Sequence, residues 1–405
     1  MKRRTFLHTL PGSLASAFLL YHPTQGMASS LLQPFAAEDK DLSAHTLSAL
    51  QFSEVQMQWP RQVGKNAQLD VHGHGPKERI CIITTNQGAK GWGMTRGNQQ
   101  SLEAAETYAK GKKLTEVFDV AVGVKNEQAL PLDVALHDLA GVILDKPVYE
   151  LLGKNQPYIT DCYSGMIYFD DLEPADNPAG LDKILEECQY DYDYGYRQFK
   201  LKIGRGNKWM PKQEGLQRDI EVTKLVAENF PDCDILVDAN NGYTVDDTIA
   251  YIKGIEGIKL FWIEEPFHET EEDYKKLKAW LKSNHIETLL ADGEAKPDFP
   301  LLRKLEAQKI IDVHLPDIIG YGFTPWRKLM PELIQMGTPA SPHAWGSQLK
   351  TYYIAHLAGG LGNTITIEGV TCQSDDVDFG DYQLKEGKLI PSSEPGFGMK
   401  LLKSL

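Results

Sequence analysis

The chain carries the run Ile-Leu-Val-Asp-Ala-Asn-Asn-Gly-Tyr at residues 235–243 and the run Phe-Trp-Ile-Glu-Glu-Pro-Phe at residues 261–267. Each is a short apolar stretch that ends in carboxylates. Such a run, rich in β-branched and aromatic residues and closed by a turn signal, predicts a strand buried on both faces. Because an unpaired carboxylate is too costly to bury, we expect Asp238 and Glu264 at the strand mouths, each with a partner.

A third stretch of the same kind follows at residues 287–294, Glu-Thr-Leu-Leu-Ala-Asp-Gly-Glu. Asp238, Glu264 and Glu294 then lie at three successive strand ends, about one strand–helix–strand unit apart. One acid at a strand end is more typical of a helix cap or a solvated turn. Three in register predict the oxygen ligands of a hard divalent cation such as Mg²⁺.

Composition limits the class of protein. The chain has 405 residues, of which 42% are hydrophobic and 24% charged, and its net charge is −14. The negative charge argues against a nucleic-acid partner and against binding to an anionic membrane surface. No run beyond the N-terminus reaches the roughly 18 apolar residues of a membrane span. The five cysteines are scattered without a CxxC pair, so we expect small buried hydrophobes.

The N-terminus predicts a targeting signal over residues 1–28. Arg3 and Arg4 precede a modestly apolar stretch, residues 6–21, and a small-x-small site follows at residues 26–28. The sequence Arg-Arg-x-Phe-Leu resembles the twin-arginine type of signal. The expectation is therefore a protein that is periplasmic or otherwise exported, and the alternative is a disordered basic terminus.

Residues 45–157 predict an α+β domain. A strand at residues 79–85, a turn and a second extended stretch from Trp92 form a hairpin signature, and helical spacing of apolar residues follows over 101–153. The preceding segment contains His72 and His74, for which a mobile loop is favoured over a metal site. His72 and Arg96, in or near this loop and hairpin, are considered as residues that could reach a substrate, but neither is assigned a role.

Residues 158–371 alternate between strand and helix patterns. Helices are predicted over stretches such as 181–190, 219–228, 272–281 and 300–305. Eight strands with helices between them predict an α/β fold, a modified TIM barrel of the (β/α)7β type. The tail, residues 372–405, is expected to return to the α+β region and complete a capping domain. The predicted strands are 162–168, 198–203, 235–238, 260–264, 288–291, 311–315, 338–341 and 364–367.

Functional groups of such a barrel gather at the carboxyl ends of its strands. Residues two apart in a strand face the same way, so Lys200 and Lys202 are both expected in the barrel mouth. Lys202 is a candidate base, with a pKa lowered by Lys200 and the metal. His343, oriented by Asp317, is a candidate base or acid. Glu368 at the eighth strand end would hydrogen-bond an intermediate if it were protonated.

In their order along the chain, these motifs resemble the mandelate racemase branch of the enolase superfamily. The likeness runs from about residue 53 to the C-terminus. It is carried by Lys-x-Lys at 200–202, Val-Asp-Ala-Asn at 237–240, Ile-Glu-Glu-Pro at 263–266, Gly-Glu at 293–294, Pro-Asp at 316–317, Pro-His at 342–343 and Ile-Glu-Gly at 367–369.

The resemblance implies roles for these residues. The metal ligands would be Asp238, Glu264 and Glu294, with Asp292 a competitor because some relatives place Asp there. The bases would be Lys202 and His343, with Asp317 as the histidine's partner. Lys200 would support Lys202 or contact the substrate carboxylate, and Glu368 matches the acid of the eighth strand. A homo-oligomer is an expectation that rests on the resemblance alone.

Together these features predict Mg²⁺-dependent removal of the proton α to a carboxylate, through an enediolate intermediate. A Lys-x-Lys motif together with a His–Asp pair suits relatives that dehydrate an acid sugar to a 2-keto-3-deoxy acid. A racemase or epimerase and a cycloisomerase of a sugar acid share that intermediate and remain alternatives. A non-catalytic binding protein for sugar acids is a further alternative, and two opposed bases argue against it.

Overall fold

The computed structural model describes residues 38–403, so the predicted signal over residues 1–28 lies outside the described residues. Within 38–403 no helix combines the length and apolar composition that a membrane crossing needs. The five cysteines are free, and four are buried while Cys233 is half-buried.

The strands and helices alternate along most of the chain. In chain order the strands are β1 (Leu47–Gln56), β2 (Lys77–Thr85), β3 (Lys90–Met94), β4 (Phe118–Asp119), β5 (Gly123–Val124), β6 (Thr160–Ile167), β7 (Gln198–Lys202), β8 (Asp234–Asp238), β9 (Leu260–Glu264), β10 (Leu289–Asp292), β11 (Val313–His314), β12 (Ile367–Gly369), β13 (Val377–Asp378), β14 (Gln383–Lys385), β15 (Lys388–Ile390) and β16 (Lys400–Leu401). The helices are α1 (Glu38–Ser43), α2 (Gln99–Ala109), α3 (Leu114–Val117), α4 (Asp133–Leu144), α5 (Val148–Leu151), α6 (Leu181–Tyr194), α7 (Lys212–Asn229), α8 (Val245–Gly254), α9 (Glu271–Ser283), α10 (Phe299–Ala307), α11 (Ile318–Tyr321), α12 (Phe323–Met336) and α13 (Gln348–Leu361).

The N-terminal region is an antiparallel sheet, in the order β1-β2-β3, with α4 packed on β3. The hairpin predicted from residue 79 onward is β2 and β3, joined at the turn after Thr85. Gly91 permits the helix to approach, because a Cβ at that position would lie 2.4 Å from the backbone nitrogen of Leu139. The pairing of a glycine-containing strand with an apolar helix therefore closes this layer.

The second region is a parallel sheet in the order β11-β10-β9-β8-β7-β6, and β12 pairs with β6. The predicted seventh strand at residues 338–341 was wrong as a regular strand. Ala340 instead forms single bridges to His314 and Thr364, and these bridges close the barrel. The reason is local: Pro339 and Pro342 lie on either side of Ala340 and Ser341 and cannot donate ladder hydrogen bonds.

The helices predicted in this region are present, mostly with longer bounds. The helix predicted over 181–190 is α6, which extends to Tyr194. The helix predicted over 219–228 is α7, which begins earlier, at Lys212. The helix α8 begins with a capping box in which the Thr244 and Asp247 side chains bond each other's backbone. The helices cover the outside of the sheet, as a closed parallel barrel requires.

The barrel interior is filled by side chains of the same strands that carry the acids. Leu236 and Trp262 are fully buried there, and Tyr163 packs edge-on against Trp262 at 5.3 Å between ring centroids. Because alternate residues of a strand share a face, Asp238 and Glu264 follow Leu236 and Trp262 toward the same interior. The packed core thus forms the floor of the site.

The C-terminal tail contacts both regions. The strand β15 pairs antiparallel with β6, and β14 pairs with β15. On the other side, the Trp92 indole donates to the Met399 carbonyl and the Phe397 backbone N–H donates to Asp138. The division into regions at 45–157, 158–371 and 372–405 stays a prediction.

Candidate active site

Strand register brings three of the candidate residues into one row. Lys202 pairs with Asp238 across β7 and β8, and Asp238 pairs with Glu264 across β8 and β9. Each is the last residue of its strand. The next position of this row on β10 is Ala291, so Glu294 enters the site from the loop that follows. The carboxyl ends of these parallel strands therefore meet at one edge of the sheet.

Asp238, Glu264 and Glu294 form a cluster in which one carboxylate oxygen of each lies within 4.8 Å of the others. Oε2 of Glu264 and Oε2 of Glu294 are buried and have no hydrogen-bond partner among the described residues. Buried orphan carboxylate oxygens are costly unless they pair with a cation. An all-oxygen donor set of three acids is what Mg²⁺ prefers. The residues present therefore fit a divalent cation.

The electrostatics of the cluster agree with that fit. Burial raises the pKa of Glu264 to about 8, although Lys200 opposes the change, and the charges of Asp238 and Glu294 raise it further. For Glu294, burial is outweighed by His343, which lowers its pKa below the ordinary range. Three carboxylates at this spacing repel one another, and a bound cation would relieve that repulsion.

The two lysines hold different carboxylates. The Lys200 ammonium lies 3.0 Å from Glu264 and 2.8 Å from Glu368, and the Lys202 ammonium forms a short contact with Asp238. Sequence reasoning expected a lowered pKa for Lys202. In the structure burial favours that lowering, but the Asp238 carboxylate outweighs it and raises the pKa. A cation bound by Asp238 would oppose this effect with its own charge.

His343 lies between three carboxylates. Its Nδ1 is 3.0 Å from Asp317 Oδ2, and its Nε2 is 3.1 Å from Glu294 and 3.7 Å from Glu368. The contact of Nδ1 with Asp317 orients the ring so that Nε2 faces Glu294 and Glu368. Burial lowers the pKa of His343, but the charges of Glu294 and Glu368 outweigh it and raise the pKa well above its usual value.

Asp317 is saturated with donors. Oδ1 accepts from the backbone N–H groups of Ile319 at 2.9 Å and Gly320 at 2.6 Å, and Oδ2 accepts from His343 and from Lys350 at 2.9 Å. Four donors favour the charged form, so the pKa of Asp317 lies below its ordinary range despite its burial. Sequence reasoning missed Lys350, which carries no motif and reaches Asp317 from α13.

Glu368 behaves as a carboxylate. Its Oε2 accepts from the backbone N–H of Ala344 at 2.6 Å and its Oε1 contacts Lys200. Burial raises the pKa of Glu368, but Lys200 and His343 outweigh burial and lower it. The protonated role considered for Glu368 is therefore not favoured, because two cations stabilise its charge.

Asp292 lies away from the cluster. Its buried carboxylate forms a short hydrogen bond with the Tyr274 hydroxyl on α9. The neighbouring Ala291 faces the barrel interior, so strand alternation turns Asp292 outward. This geometry favours Glu294 over Asp292 as the third acid.

An aromatic wall formed by Trp59, His72, Tyr168 and Trp345 lies beside the bases. Sequence reasoning considered His72 alone and did not predict the wall. The ring centroids lie 5.2 Å apart for Trp59 and Trp345, 4.6 Å for Tyr168 and Trp345, and 4.9 Å for His72 and Tyr168. The Lys202 ammonium lies 5.1 Å from the Tyr168 ring centroid. The Trp59 indole donates to the Gly346 carbonyl at 3.1 Å. This hydrogen bond links the segment between β1 and β2, which we call the capping segment, to the barrel.

Comparison with known families settles the relationship. Residues 183–404 match the family model described as Enolase C-terminal domain-like, which is more than half of the chain. The chain belongs to the enolase superfamily.

Several members of the enolase superfamily resemble this chain. Arabinonate dehydratase of Saccharolobus solfataricus is 26% identical over 272 residues, covering 66% of this chain and 68% of that protein. D-galactarolactone cycloisomerase of Agrobacterium fabrum is 25% identical, covering 66% of this chain and 71% of that protein. These two relatives are thus matched over about two thirds of their length.

A solved structure of the enolase superfamily covers more of the chain. Galacturonate dehydratase from Geobacillus sp., complexed with D-galacturonate and 5-keto-4-deoxy-D-galacturonate, is 31% identical with a TM-score of 0.82, covering 89% of this chain and 95% of that one. A mutant of the same protein is complexed with Mg. This chain is an enzyme of the acid-sugar dehydratase or isomerase type, so the alternative of a non-catalytic binding protein is set aside.

Proposed function

We propose that the protein is a Mg²⁺-dependent dehydratase that converts an acid sugar to a 2-keto-3-deoxy acid. One observation carries the proposal. The two candidate bases converge on the same acid cluster, Lys202 through Asp238 and His343 through Glu294 at 3.1 Å. A substrate carboxylate placed at the cluster would therefore have a proton acceptor and a proton donor beside it.

In this proposal Asp238, Glu264 and Glu294 hold Mg²⁺, which when bound would neutralise charge that develops on the substrate carboxylate. Lys200 is held by Glu264 and Glu368, and it adds a fixed positive charge beside the cluster. These contacts orient the groups before the substrate arrives, so little reorganisation is needed during the reaction.

The proton transfers fall to Lys202 and His343. Lys202 as a free amine takes the proton from the α-carbon, and the electron pair of that C–H bond forms a carbon–carbon double bond. The β C–O bond breaks, and the hydroxyl leaves as water with a proton from Nε2 of His343. Asp317 holds the other ring nitrogen, so the imidazole keeps one orientation. The enol that remains takes a proton at the β-carbon, gives up the proton of its α-hydroxyl and becomes the keto acid.

Solvent isotope exchange tests this function. The protein with Mg²⁺ would be incubated in D₂O with D-galacturonate, D-galactonate and galactarate, and mass spectrometry would measure deuterium uptake and water loss. We expect uptake with water loss that EDTA abolishes. Uptake without water loss would favour a racemase or epimerase, and ring opening or closure would favour a cycloisomerase.

Variants assign the roles. Lys202→Met and His343→Asn should each lower the exchange rate by at least about a hundredfold, the usual size of general acid–base catalysis. Lys77→Met and His74→Asn are matched controls, because both side chains are exposed on the capping region. Glu294→Gln should weaken Mg²⁺ binding measured by calorimetry. Full activity in both base variants would overturn the mechanism.

We also propose export through the twin-arginine-like segment, residues 1–28. Fractionation of cells that express the full chain, followed by N-terminal sequencing, should find a periplasmic protein that begins after residue 28. An intact segment on cytoplasmic protein would overturn this location.

A further inference from the structure

One ring nitrogen of His72 is bound to the protein backbone. Its Nδ1 lies 2.7 Å from the carbonyl oxygen of Gly64. A carbonyl only accepts hydrogen bonds, so Nδ1 carries the proton and a neutral ring keeps its lone pair on Nε2. Burial lowers the pKa of His72, with the Gly64 carbonyl opposing, which favours the neutral form. The ring is therefore a hydrogen-bond acceptor at Nε2.

The position of this acceptor is next to the bases. The His72 ring packs edge-on against Tyr168 at 4.9 Å and against Trp345 at 5.9 Å. Tyr168 in turn lies under the Lys202 ammonium, and Trp345 follows His343 by two residues. Among residues 38–403 no hydrogen-bond partner is found for Nε2, and the side chain is partly exposed. An oriented acceptor thus lies one aromatic ring away from Lys202.

A substrate whose carboxylate lies at the acid cluster would direct its other end toward His72 and the aromatic wall. The charges around the site argue that this other end is neutral. A second substrate carboxylate would need a cation of its own, because burying an unpaired charge is costly. The nearby cations of the described chain all have protein partners. Arg96 donates to the Gly320 and Tyr321 carbonyls at 2.7 Å each. The others are bound to carboxylates: Lys200 to Glu264 and Glu368, Lys202 to Asp238, Lys350 to Asp317, Arg61 to Asp191 and Lys65 to Glu173.

We propose that His72 is a specificity-determining residue that accepts a hydrogen bond at Nε2 from a hydroxyl on the uncharged end of a monocarboxylic acid sugar. The faces and edges of the aromatic wall pack against the carbon atoms of that end. The inference rests on the proposed function and adds that aldonic or uronic acids are the substrates, while dicarboxylic aldaric acids are disfavoured.

The test compares His72→Phe, His72→Gln and the control His74→Phe. The phenylalanine keeps the ring packing and removes the acceptor, and the glutamine returns an acceptor near the Nε2 position. The probes are D-galacturonate, D-galactonate and galactarate, together with analogues of the exchanging acids that lack one hydroxyl beyond the β-carbon. The measurements are kcat/KM for deuterium exchange and the Tm of each variant.

The wild type should favour the monocarboxylic acids over galactarate. His72→Phe should lower kcat/KM for the complete acid by roughly tenfold, the value of one hydrogen bond, while one deoxy analogue is unaffected. His72→Gln should recover part of the loss, and His74→Phe should change nothing. An equal loss on the acid and all its analogues indicates a structural role and overturns the inference.

Other outcomes separate this inference from the proposed function. No exchange by the wild type with any acid overturns both. Exchange that the His72 variants leave unchanged, or that is fastest with galactarate, overturns this inference alone. If His72→Phe unfolds at the assay temperature, His72→Gln and the deoxy analogues decide the question with folded protein.

Discussion

Arg61 offers the sharpest test of how the capping segment is attached to the barrel. It lies in the same segment as Trp59 and His72, between β1 and β2. Its guanidinium donates to both carboxylate oxygens of Asp191 on α6, at 2.9 Å each, and to the Met166 carbonyl at 3.2 Å. The Arg61 and Asp191 side chains are only 10% and 0% exposed. Arg61→Met is the perturbation that removes this bidentate pair.

The expected cost follows from what the substitution leaves behind. Asp191 would keep the Ser164 hydroxyl, at 2.6 Å, as its remaining side-chain donor among the described residues. Removing one partner of a buried ion pair costs about 3–5 kcal/mol, because the other charge stays buried without compensation. Adding Asp191→Asn should recover part of that loss, since the double variant carries no orphan charge.

Urea unfolding, followed by tryptophan fluorescence and by circular dichroism, measures these changes when the two transitions coincide. Lys275→Met is the control, because its pair with Glu271 is open to solvent and should contribute far less than a buried pair. We also expect Arg61→Met to raise KM, since it loosens the segment that carries His72. A cost below about 1 kcal/mol for Arg61→Met, or no recovery in the double variant, would refute the reasoning.

Three further predictions concern buried groups. Burial raises the pKa of Glu187 to about 9, so the folded state favours the neutral acid. The free energy of unfolding of the wild type, compared with that of Glu187→Gln, should therefore fall by about 1.4 kcal/mol per pH unit between roughly pH 4.5 and 9. Unfolding at pH 5 to 8 checks this, and a constant difference would contradict it. Tyr274→Phe should cost about 1–3 kcal/mol because buried Asp292 loses its hydroxyl partner. Its Mg²⁺ affinity by calorimetry should not change, whereas weaker binding would make Asp292 a ligand. Lys350→Met removes one of four donors to Asp317 and should slow deuterium exchange about tenfold, with partial rescue by Lys350→Arg; an unchanged rate would rule out a positioning role.

Much of the barrel could be predicted because most of its strands have a clear sequence pattern. Buried parallel strands are continuous apolar runs, and their ends are marked by residues that cannot stay in the core. That is why Asp238 and Glu264 could be located from the chain alone. The prediction of the seventh strand was wrong as a regular strand, because two prolines interrupt the hydrogen bonding and only single bridges form at Ala340.

Contacts between distant segments could not be predicted. Strand alternation puts Ala291 and Asp292 on opposite faces, but which one faces inward depends on the register with β9. Lys350 and Asp317 are 33 residues apart and are joined only by the fold. His72 reaches the barrel from a segment whose sequence favoured a mobile loop, and only its packing on Tyr168 and Trp345 gives it a place.

The single bridges at Ala340 imply that the barrel has a seam. The segment around Ala340 is joined to the segments on either side by isolated hydrogen bonds, such as Ser341 N–H to the His314 carbonyl and Ile365 N–H to the Ala340 carbonyl. Other strands of the barrel, such as β7 and β8, are joined by regular ladders. Amide protons along residues 338–341 should therefore exchange with solvent sooner than those of β7 and β8. Because Asp317 and His343 also bridge across this line, thermal opening of the seam would separate the histidine from its partner while Lys202, Asp238 and Glu264 stay paired across β7, β8 and β9.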